Sequence, residues 1–174
     1  MHVLGIAVIS VDGCLARHEE SGVSFASAED QAEFRRAVQE CGATVMGRRT
    51  FDAVRERILG SKDHSLLRTI VTREPTRYAE LAQPGRIEFT SAGPREIVRS
   101  LADRGYRSVA ILGGAQIYDL FTADALITEW QITVEPRLFG TGTRILSRAA
   151  DPPLTLVEHR LLNANTLLLR YRVG

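Results

Sequence analysis

The sequence predicts an α/β protein in which one mixed β-sheet carries helices on both faces and ends in an antiparallel C-terminal hairpin. Up to residue 121, short apolar runs alternate with helical patterns, which is typical of βα units on a largely parallel sheet. The alternation then stops, and the remaining apolar runs are strand-like. The chain has 174 residues, the length of one compact domain, so we expect a single domain over residues 1–174.

The alternating part of the chain predicts five strands and four helices. The strands are expected at residues 3–9, 43–46, 69–72, 86–89 and 108–112. The helices are expected at residues 28–41, 49–59, 94–104 and 115–121. In the first helix, Phe34, Val38 and Cys41 recur at i, i+4 and i+7, so they share one face.

The C-terminal part predicts strands alone. Residues 127–134 form a long strand pattern, and residues 154–162 and 166–173 flank an Asn-Ala-Asn turn that favours an antiparallel hairpin. Loops are expected at residues 10–27, 60–68 and 135–150. Irregular segments of this length are often functional.

Composition excludes several function classes. Lys and Arg number 22 against 21 Asp and Glu, so no long-range field favours nucleic acid or an anionic membrane. No apolar run reaches the roughly 20 residues that span a bilayer, and no leader pattern opens the chain, which favours a cytoplasmic protein. Cys14 and Cys41 are far apart and the histidines are scattered, so no metal site is predicted.

Two glycine-containing turns connect a strand to a helix. Gly113-Gly114 follows an apolar run and precedes a helix, so its backbone can approach a ligand while the helix start offers free N–H groups to a pyrophosphate. The alternative is an ordinary tight turn. Gly47 precedes Arg48, Arg49 and Thr50 in the same arrangement.

The arginines of the second turn suggest which nucleotide would bind. Guanidinium groups match phosphate oxygens in a two-point geometry, so Arg48 and Arg49 favour NADPH over NADH, although paired arginines are also common on solvated surfaces. Thr72-Arg73 ends another strand and adds a hydroxyl and a cation at the carboxyl edge, where ligands bind in open α/β sheets. Neither turn has the Rossmann or P-loop spacing.

Five segments of the chain together carry a family resemblance. They are Ser10-Val11-Asp12-Gly13, Met46-Gly47-Arg48-Arg49-Thr50-Phe51, Val71-Thr72-Arg73, Ile111-Leu112-Gly113-Gly114-Ala115-Gln116-Ile117-Tyr118, and Glu135-Pro136-Arg137-Leu138-Phe139-Gly140-Thr141-Gly142. In this order they resemble the superfamily of dihydrofolate reductases and of the reductase domain of the riboflavin-pathway deaminase-reductase. The resemblance covers nearly the whole chain and implies an eight-stranded sheet with NADPH lying across its carboxyl edge.

The resemblance also implies the cofactor-binding residues. Residues that match the turn holding the cofactor phosphates are Gly47, Arg48, Arg49 and Thr50. Residues that match the strand end near the 2′-phosphate are Thr72 and Arg73. Residues that match the pyrophosphate and nicotinamide half are Gly113, Gly114, Ala115, Gln116, Ile117 and Tyr118.

Residues of the first strand and its following loop are similar to those that line the nicotinamide and the substrate ring. Val8 and Leu15 are expected on the cofactor side and Ala7 on the substrate side. Phe25 stands where these enzymes usually have a tryptophan before the first helix, and it is expected beside the substrate.

Asp30 is the predicted catalytic residue. It lies one helical turn before Phe34, so both side chains can project from one face, like the acid and the aromatic residue that grip a pterin in dihydrofolate reductases. A carboxyl group in a half-apolar cleft can bind an amino-pyrimidine edge and assist protonation at a ring nitrogen. The alternative is a capping box, in which Ser27 and Asp30 only satisfy backbone groups at a helix start.

The resemblance leaves the substrate open between related heterocycles. Leu66 falls near the position of an arginine that grips the folate glutamate, and Arg68 is the nearest substitute. The Gly-Gly-Ala turn and residues 129–142 are closer to the riboflavin-pathway group, whose substrate is a phosphorylated ribosylamino-pyrimidine and whose members commonly form homodimers. A second hypothesis is a non-catalytic NADPH-binding module of the same fold.

Overall fold

The computed structural model describes residues 1–18 and 22–174. The strands in this part of the chain are β1 (His2–Ser10), β2 (Cys14–Arg17), β3 (Ala43–Gly47), β4 (Leu67–Val71), β5 (Ile87–Thr90), β6 (Ser108–Ile111), β7 (Glu129–Glu135), β8 (Gly142–Arg144), β9 (Leu154–Leu161) and β10 (Leu167–Val173). The helices are α1 (Ala28–Cys41), α2 (Arg48–Leu59), α3 (Pro94–Asp103), α4 (Ala115–Ala123) and a 3₁₀ helix (Pro75–Leu81).

Eight strands form one mixed sheet in the order β5-β4-β3-β6-β1-β7-β10-β9. The first six strands of this order all run parallel, because each is parallel to its neighbour; they are β5, β4, β3, β6, β1 and β7. Strand β10 is antiparallel to both β7 and β9. The predicted mixed sheet with an antiparallel C-terminal hairpin is therefore confirmed.

Helices cover both faces of the sheet, as predicted. Leu4 and Ile6 of β1 pack with Ala37 and Val38 of α1. Val3 and Ala7 point to the opposite face and belong to the cluster that contains α3 and α4. Helix α2 lies on the α1 face, because the half-buried Leu112 contacts the clusters of both helices.

The bounds of α1 agree with the sequence prediction because both ends are marked by side-chain and backbone chemistry. Ser27 is the N-cap, and its hydroxyl accepts the N–H of Asp30 at 3.2 Å. Gly42 ends the helix with φ of 71°, a left-handed conformation that glycine adopts without steric cost.

Three short elements lie where the sequence predicts only loops or gives no signal. Strands β2 and β8 pair antiparallel beside the main sheet, and the 3₁₀ helix joins β4 to β5. Strands of four and three residues are too short for a period-two pattern to be recognised. Gly142 permits their close approach, since a Cβ there would lie 2.2 Å from the Ala16 carbonyl oxygen. No helix among the described residues is long and apolar enough to cross a membrane.

Candidate functional site

The two glycine turns lie side by side at the carboxyl edge of the sheet. Val45 of β3 is level with Ile111 of β6, and the Leu112 N–H donates to the Val45 carbonyl at 2.8 Å. Two residues further on, the Gly47 N–H donates to the Gly113 carbonyl at 2.7 Å. This bond joins the two turns directly, so α2 and α4 begin next to each other.

In the described part of the chain, the adjacent starts of α2 and α4 leave their backbone N–H groups without a side-chain cap. Their N-caps are Gly47 and Gly114, and within the described residues neither helix receives a side-chain cap or carries an acid in its first turn. A Cβ on Gly114 would lie 3.6 Å from Thr50 Oγ1, so the first turns face one another closely. Uncapped N–H groups and the positive ends of two helix dipoles fit a diphosphate.

The cations expected near these helix starts differ in their availability. Arg48 is exposed and pairs with Asp52 at 2.8 Å, one turn along α2. Arg49 is also exposed and forms no ion pair with any residue in the described ranges. Arg49 is therefore the better candidate for a phosphate contact, because a ligand would not have to displace an acid.

Thr72 and Arg73 leave β4 beside the start of α2. Val71 is level with Gly47 in the parallel pair β3–β4, so the next two residues extend past the sheet at the glycine turn. Thr72 is half-buried and its hydroxyl accepts the Glu74 N–H at 3.3 Å, whereas Arg73 is exposed. These side chains can supplement Arg49 in holding a phosphate.

The first turn of α4 presents mainly backbone to a ligand. Ala115, Ile117 and Tyr118 are buried and only Gln116 is exposed. The Tyr118 hydroxyl donates to the Ile6 carbonyl, and burial raises the pKa of this tyrosine. A Cβ on Gly113 would lie 2.6 Å from the Tyr118 ring, so this ring packs directly against the turn.

Ala7 and Val8 lie at the same edge but on opposite faces of β1. Ala7 packs in the α3–α4 cluster, and the half-buried Leu15 packs against that cluster. Val8 is level with Thr133 and points to the α1 face. The structure therefore has Val8 on the side of Asp30 and Ala7 on the side of α4, and their contacts with cofactor and substrate stay predictions.

The predicted aromatic residues are both half-buried near α1. Phe25 makes an edge-to-face contact with Phe139, with ring centroids 5.0 Å apart. Phe34 packs against the cluster between α1 and the sheet, where it shares neighbours with Leu112. Leu112 also contacts the α2 cluster, so an apolar lining continues from α1 towards the glycine turns.

The Asp30 carboxyl group is buried, with 7% of the residue exposed. Burial raises its pKa to about 6, the like charges of Glu135 and Glu33 add to this effect, and a hydrogen bond from Thr133 opposes it. The geometry contains one half of the capping-box alternative, the bond from the Asp30 N–H to the Ser27 hydroxyl, but not its reciprocal half. The Ser27 N–H donates to Glu135 Oε1 at 2.7 Å, so a different acid occupies the capping role expected of Asp30.

Sequence reasoning did not find Thr133 and Glu135 as partners of the predicted acid. They alternate along β7 and face α1, a pattern that in the sequence is indistinguishable from an ordinary half-buried strand. Asp12 belongs to one of the five segments of the family resemblance, and its sequence position alone indicates no role. Its carboxylate accepts the N–H of Gly140 at 2.7 Å and of Phe139 at 3.1 Å, which ties the turn after β1 to the loop after β7. Hydrogen bonds, first from Ser10 and then from Gly140, lower the pKa of Asp12 to about 2.

Arg68 does not lie where it could replace a folate-gripping arginine. It is 8% exposed, sits at the amino end of β4, and donates to the Leu66 carbonyl at 3.0 Å. The site described above is at the opposite, carboxyl end of the same strand.

Within residues 1–18 and 22–174, no group of three or more His, Cys, Asp and Glu side chains is arranged to hold a metal ion.

An eight-stranded sheet of this order, with two helix starts joined at its carboxyl edge, defines a domain of the dihydrofolate-reductase-like fold. The sequence matches the profile of the RibD C-terminal domain over residues 2–168, so the chain belongs to that family. Membership implies a reductase related to riboflavin biosynthesis.

Solved structures share the fold at low sequence identity. A Shewanella sp. PV-4 protein provisionally assigned to riboflavin biosynthesis matches with a TM-score of 0.77 and 18% identity, covering 100% of this chain and 99% of that one. The Thermotoga maritima diaminohydroxyphosphoribosylaminopyrimidine deaminase/5-amino-6-(5-phosphoribosylamino)uracil reductase matches with a TM-score of 0.76 and 18% identity over 99% of this chain. Acinetobacter baumannii RibD matches with a TM-score of 0.79 and 16% identity, also over 99% of this chain. This chain spans only 56% and 58% of the latter two. No curated protein sequence matches it.

Proposed function

We propose that this protein is an NADPH-dependent reductase that delivers hydride to a pterin or a ribosylamino-pyrimidine. The observation that carries the proposal is the hydrogen bond between Gly47 and Gly113, which brings two uncapped helix starts together at the edge where a buried acid, Asp30, also lies. Membership in the RibD C-terminal domain family supports the reductase class.

The cofactor would lie across the joined turns. The N–H groups at the starts of α2 and α4 would receive the diphosphate, and Arg49, with Thr72 and Arg73, would receive the 2′-phosphate. NADPH supplies the hydride when it is bound. The protein's part is to orient the two reacting rings and to exclude water between them.

Asp30 would supply or hold the proton that accompanies hydride transfer. Because its pKa is raised to about 6, a useful fraction of the carboxyl group stays protonated near neutral pH. The proton would pass to the substrate nitrogen next to the carbon that receives the hydride, which leaves Asp30 ionised and the cofactor oxidised. Phe34 and Val8 would border the substrate ring, and Phe25 would close the approach to it.

Two observations favour different substrates within this class. The name of the Thermotoga relative points to a phosphorylated ribosylamino-pyrimidine. The Asp30 carboxyl group, hydrogen-bonded to Thr133 of β7, favours a ligand with an amino-pyrimidine edge such as a pterin. Arg68 offers no grip for a glutamate tail, so a pterin without that tail suits this site better than folate.

The proposal is tested by melting temperature and by turnover. NADPH should raise the melting temperature more than NADH, and NADPH absorbance should fall when 5-amino-6-(5-phosphoribosylamino)uracil or a dihydropterin is added. Asp30→Asn should keep the NADPH-induced rise and lose most of the turnover. A rise with NADPH but no oxidation with either substrate class would favour the non-catalytic module, and no rise with any nucleotide would refute both.

Three further expectations stay predictions. They are a single domain over residues 1–174, a cytoplasmic location and a homodimer. Size-exclusion chromatography with light scattering tests the last of these.

A further inference from the structure

Glu135, at the end of β7, is a buried carboxylate with both oxygens engaged by the protein. The residue is 3% exposed. Its Oε1 accepts the Ser27 N–H at 2.7 Å, and its Oε2 accepts the hydroxyl of Thr166 at 2.8 Å. Thr166 is itself 1% exposed. A buried carboxylate destabilises the fold unless its oxygens accept hydrogen bonds. The position of Glu135 therefore depends on the conformation in which both Ser27 and Thr166 donate to it.

The bonds of Glu135 lead directly to Asp30. The Ser27 N–H donates to Glu135, and the Ser27 hydroxyl accepts the Asp30 N–H at 3.2 Å. Thr133, two residues before Glu135 on the same face of β7, hydrogen-bonds the Asp30 carboxyl group. Strand β7 therefore contacts the Asp30 side chain through Thr133 and holds the Asp30 main chain indirectly, through Ser27.

We infer that Glu135 is a positioning residue for Asp30: it anchors the first turn of α1 to β7 and places a like charge beside the acid. The inference rests on the proposed function in that it gives Asp30 the part of the reacting acid. Glu135 does more than complete the cap at Ser27, because it reaches the start of α1 from β7 and so attaches the helix to the sheet.

The charged groups that face Asp30 have different partners. Glu33, on α1, pairs with Arg36 and with Arg160 of β9, the latter at 2.9 Å. Glu135 forms no ion pair within residues 1–18 and 22–174, and its donors, the Ser27 N–H and the Thr166 hydroxyl, carry no charge. Its charge is thus the less compensated of the two carboxylates that help raise the Asp30 pKa to about 6.

The test is a carboxyl ¹³C NMR titration of the protein without cofactor or substrate, with Asp30→Asn identifying the resonance. Glu135→Gln removes the charge and can keep both hydrogen bonds, since the amide oxygen can accept from Ser27 and the amide N–H can donate to the Thr166 hydroxyl. We expect the Asp30 midpoint to fall from about 6 but to stay above 3.8, because burial remains. Glu129→Gln is the matched control on the same strand, and it should leave the midpoint unchanged.

An Asp30 midpoint that is the same in the wild type and in Glu135→Gln would overturn the inference. If Glu135→Gln does not fold, Thr166→Val carries the test, since it weakens the hold on Glu135 and should accelerate amide hydrogen exchange at Ser27 and Asp30. Unchanged exchange would then overturn the anchoring role. Because neither measurement uses NADPH, a protein that oxidises no cofactor would refute the proposed function without affecting these results.

Discussion

Replacing Asp30 with asparagine should change how protein stability depends on pH. In the folded protein the pKa of Asp30 is about 6, against 3.8 for an unperturbed aspartate. A raised pKa means that the folded state retains a proton which the unfolded chain has released. The contribution to stability is complete below pH 3.8 and is lost as pH rises through 6.

The magnitude follows from the two pKa values. At about 1.4 kcal/mol for each pKa unit, the difference between 3.8 and about 6 corresponds to about 3 kcal/mol of unfolding free energy. Only 7% of Asp30 is exposed, so solvent screening reduces this little. For a chain of this length, 3 kcal/mol corresponds to about 6 to 12 °C in melting temperature.

The assay is urea unfolding of the wild type and of Asp30→Asn at several pH values from 3 to 8. The free-energy difference between the two proteins should move in favour of the asparagine variant by about 3 kcal/mol as the pH rises. If the asparagine amide is imperfectly hydrogen-bonded, the variant loses the same unfolding free energy at every pH, and the change with pH is unaffected. A difference that is flat with pH, or that moves the other way, would refute the buried-acid argument.

Asp12→Asn is the control with the opposite sign. Hydrogen bonds lower the pKa of Asp12 to about 2, so its contribution to stability is present above 3.8 and is lost as pH falls towards 2. The asparagine variant at this position should therefore lose stability relative to the wild type at neutral pH, and this deficit should shrink in acid.

Three more predictions concern the two turns and the acid. Arg49→Ala should weaken NADPH binding by about 10- to 150-fold, because a charged hydrogen bond contributes about 1.5–3 kcal/mol. The same titration with NADH should show no change in affinity. An equal loss of NADPH affinity in the control Arg55→Ala would show that only the general charge of the surface matters. Gly113→Ala should lower the melting temperature more than Gly85→Ala. Both glycines have a positive φ (75° and 77°), but only at Gly113 would the new Cβ clash with the Tyr118 ring. Equal decreases in melting temperature would contradict the close packing of this turn. Thr133→Val should raise the Asp30 pKa further, because it removes the hydrogen bond that lowers it, and an NMR midpoint at or below that of the wild type would disprove this.

Much of the fold could be predicted because its signals are local. The parallel strands are continuous apolar runs, and α1 is bounded by Ser27 and Gly42, whose capping chemistry is visible in the sequence. The pairing of Arg48 with Asp52 was also within reach, since a basic and an acidic residue four positions apart on a helix are neighbours. That spacing would have singled out Arg49 as the freer cation.

The surroundings of Asp30 could not be predicted in the same way. Glu135 is 108 residues from Ser27 in the sequence, and the contact exists only because β7 lies next to β1 in the sheet. Local spacing made Ser27 and Asp30 look like a reciprocal capping box, and only the tertiary structure assigns the second half of that box to Glu135. The faces of Ala7 and Val8 likewise depend on which helices cover each side of the sheet.

The energetics of Asp30 support the proposal that its acidity serves a ligand. Ser27 caps the Asp30 N–H and Glu135 caps Ser27, so the helix start needs nothing from the Asp30 carboxyl group. Buried beside two other carboxylates, this group lowers the stability of the fold wherever it is ionised, whereas an asparagine could keep a hydrogen bond to Thr133 without that dependence. A feature that opposes stability at neutral pH, at the edge where two helix starts converge, is the pattern expected when binding or proton transfer sets the choice of residue.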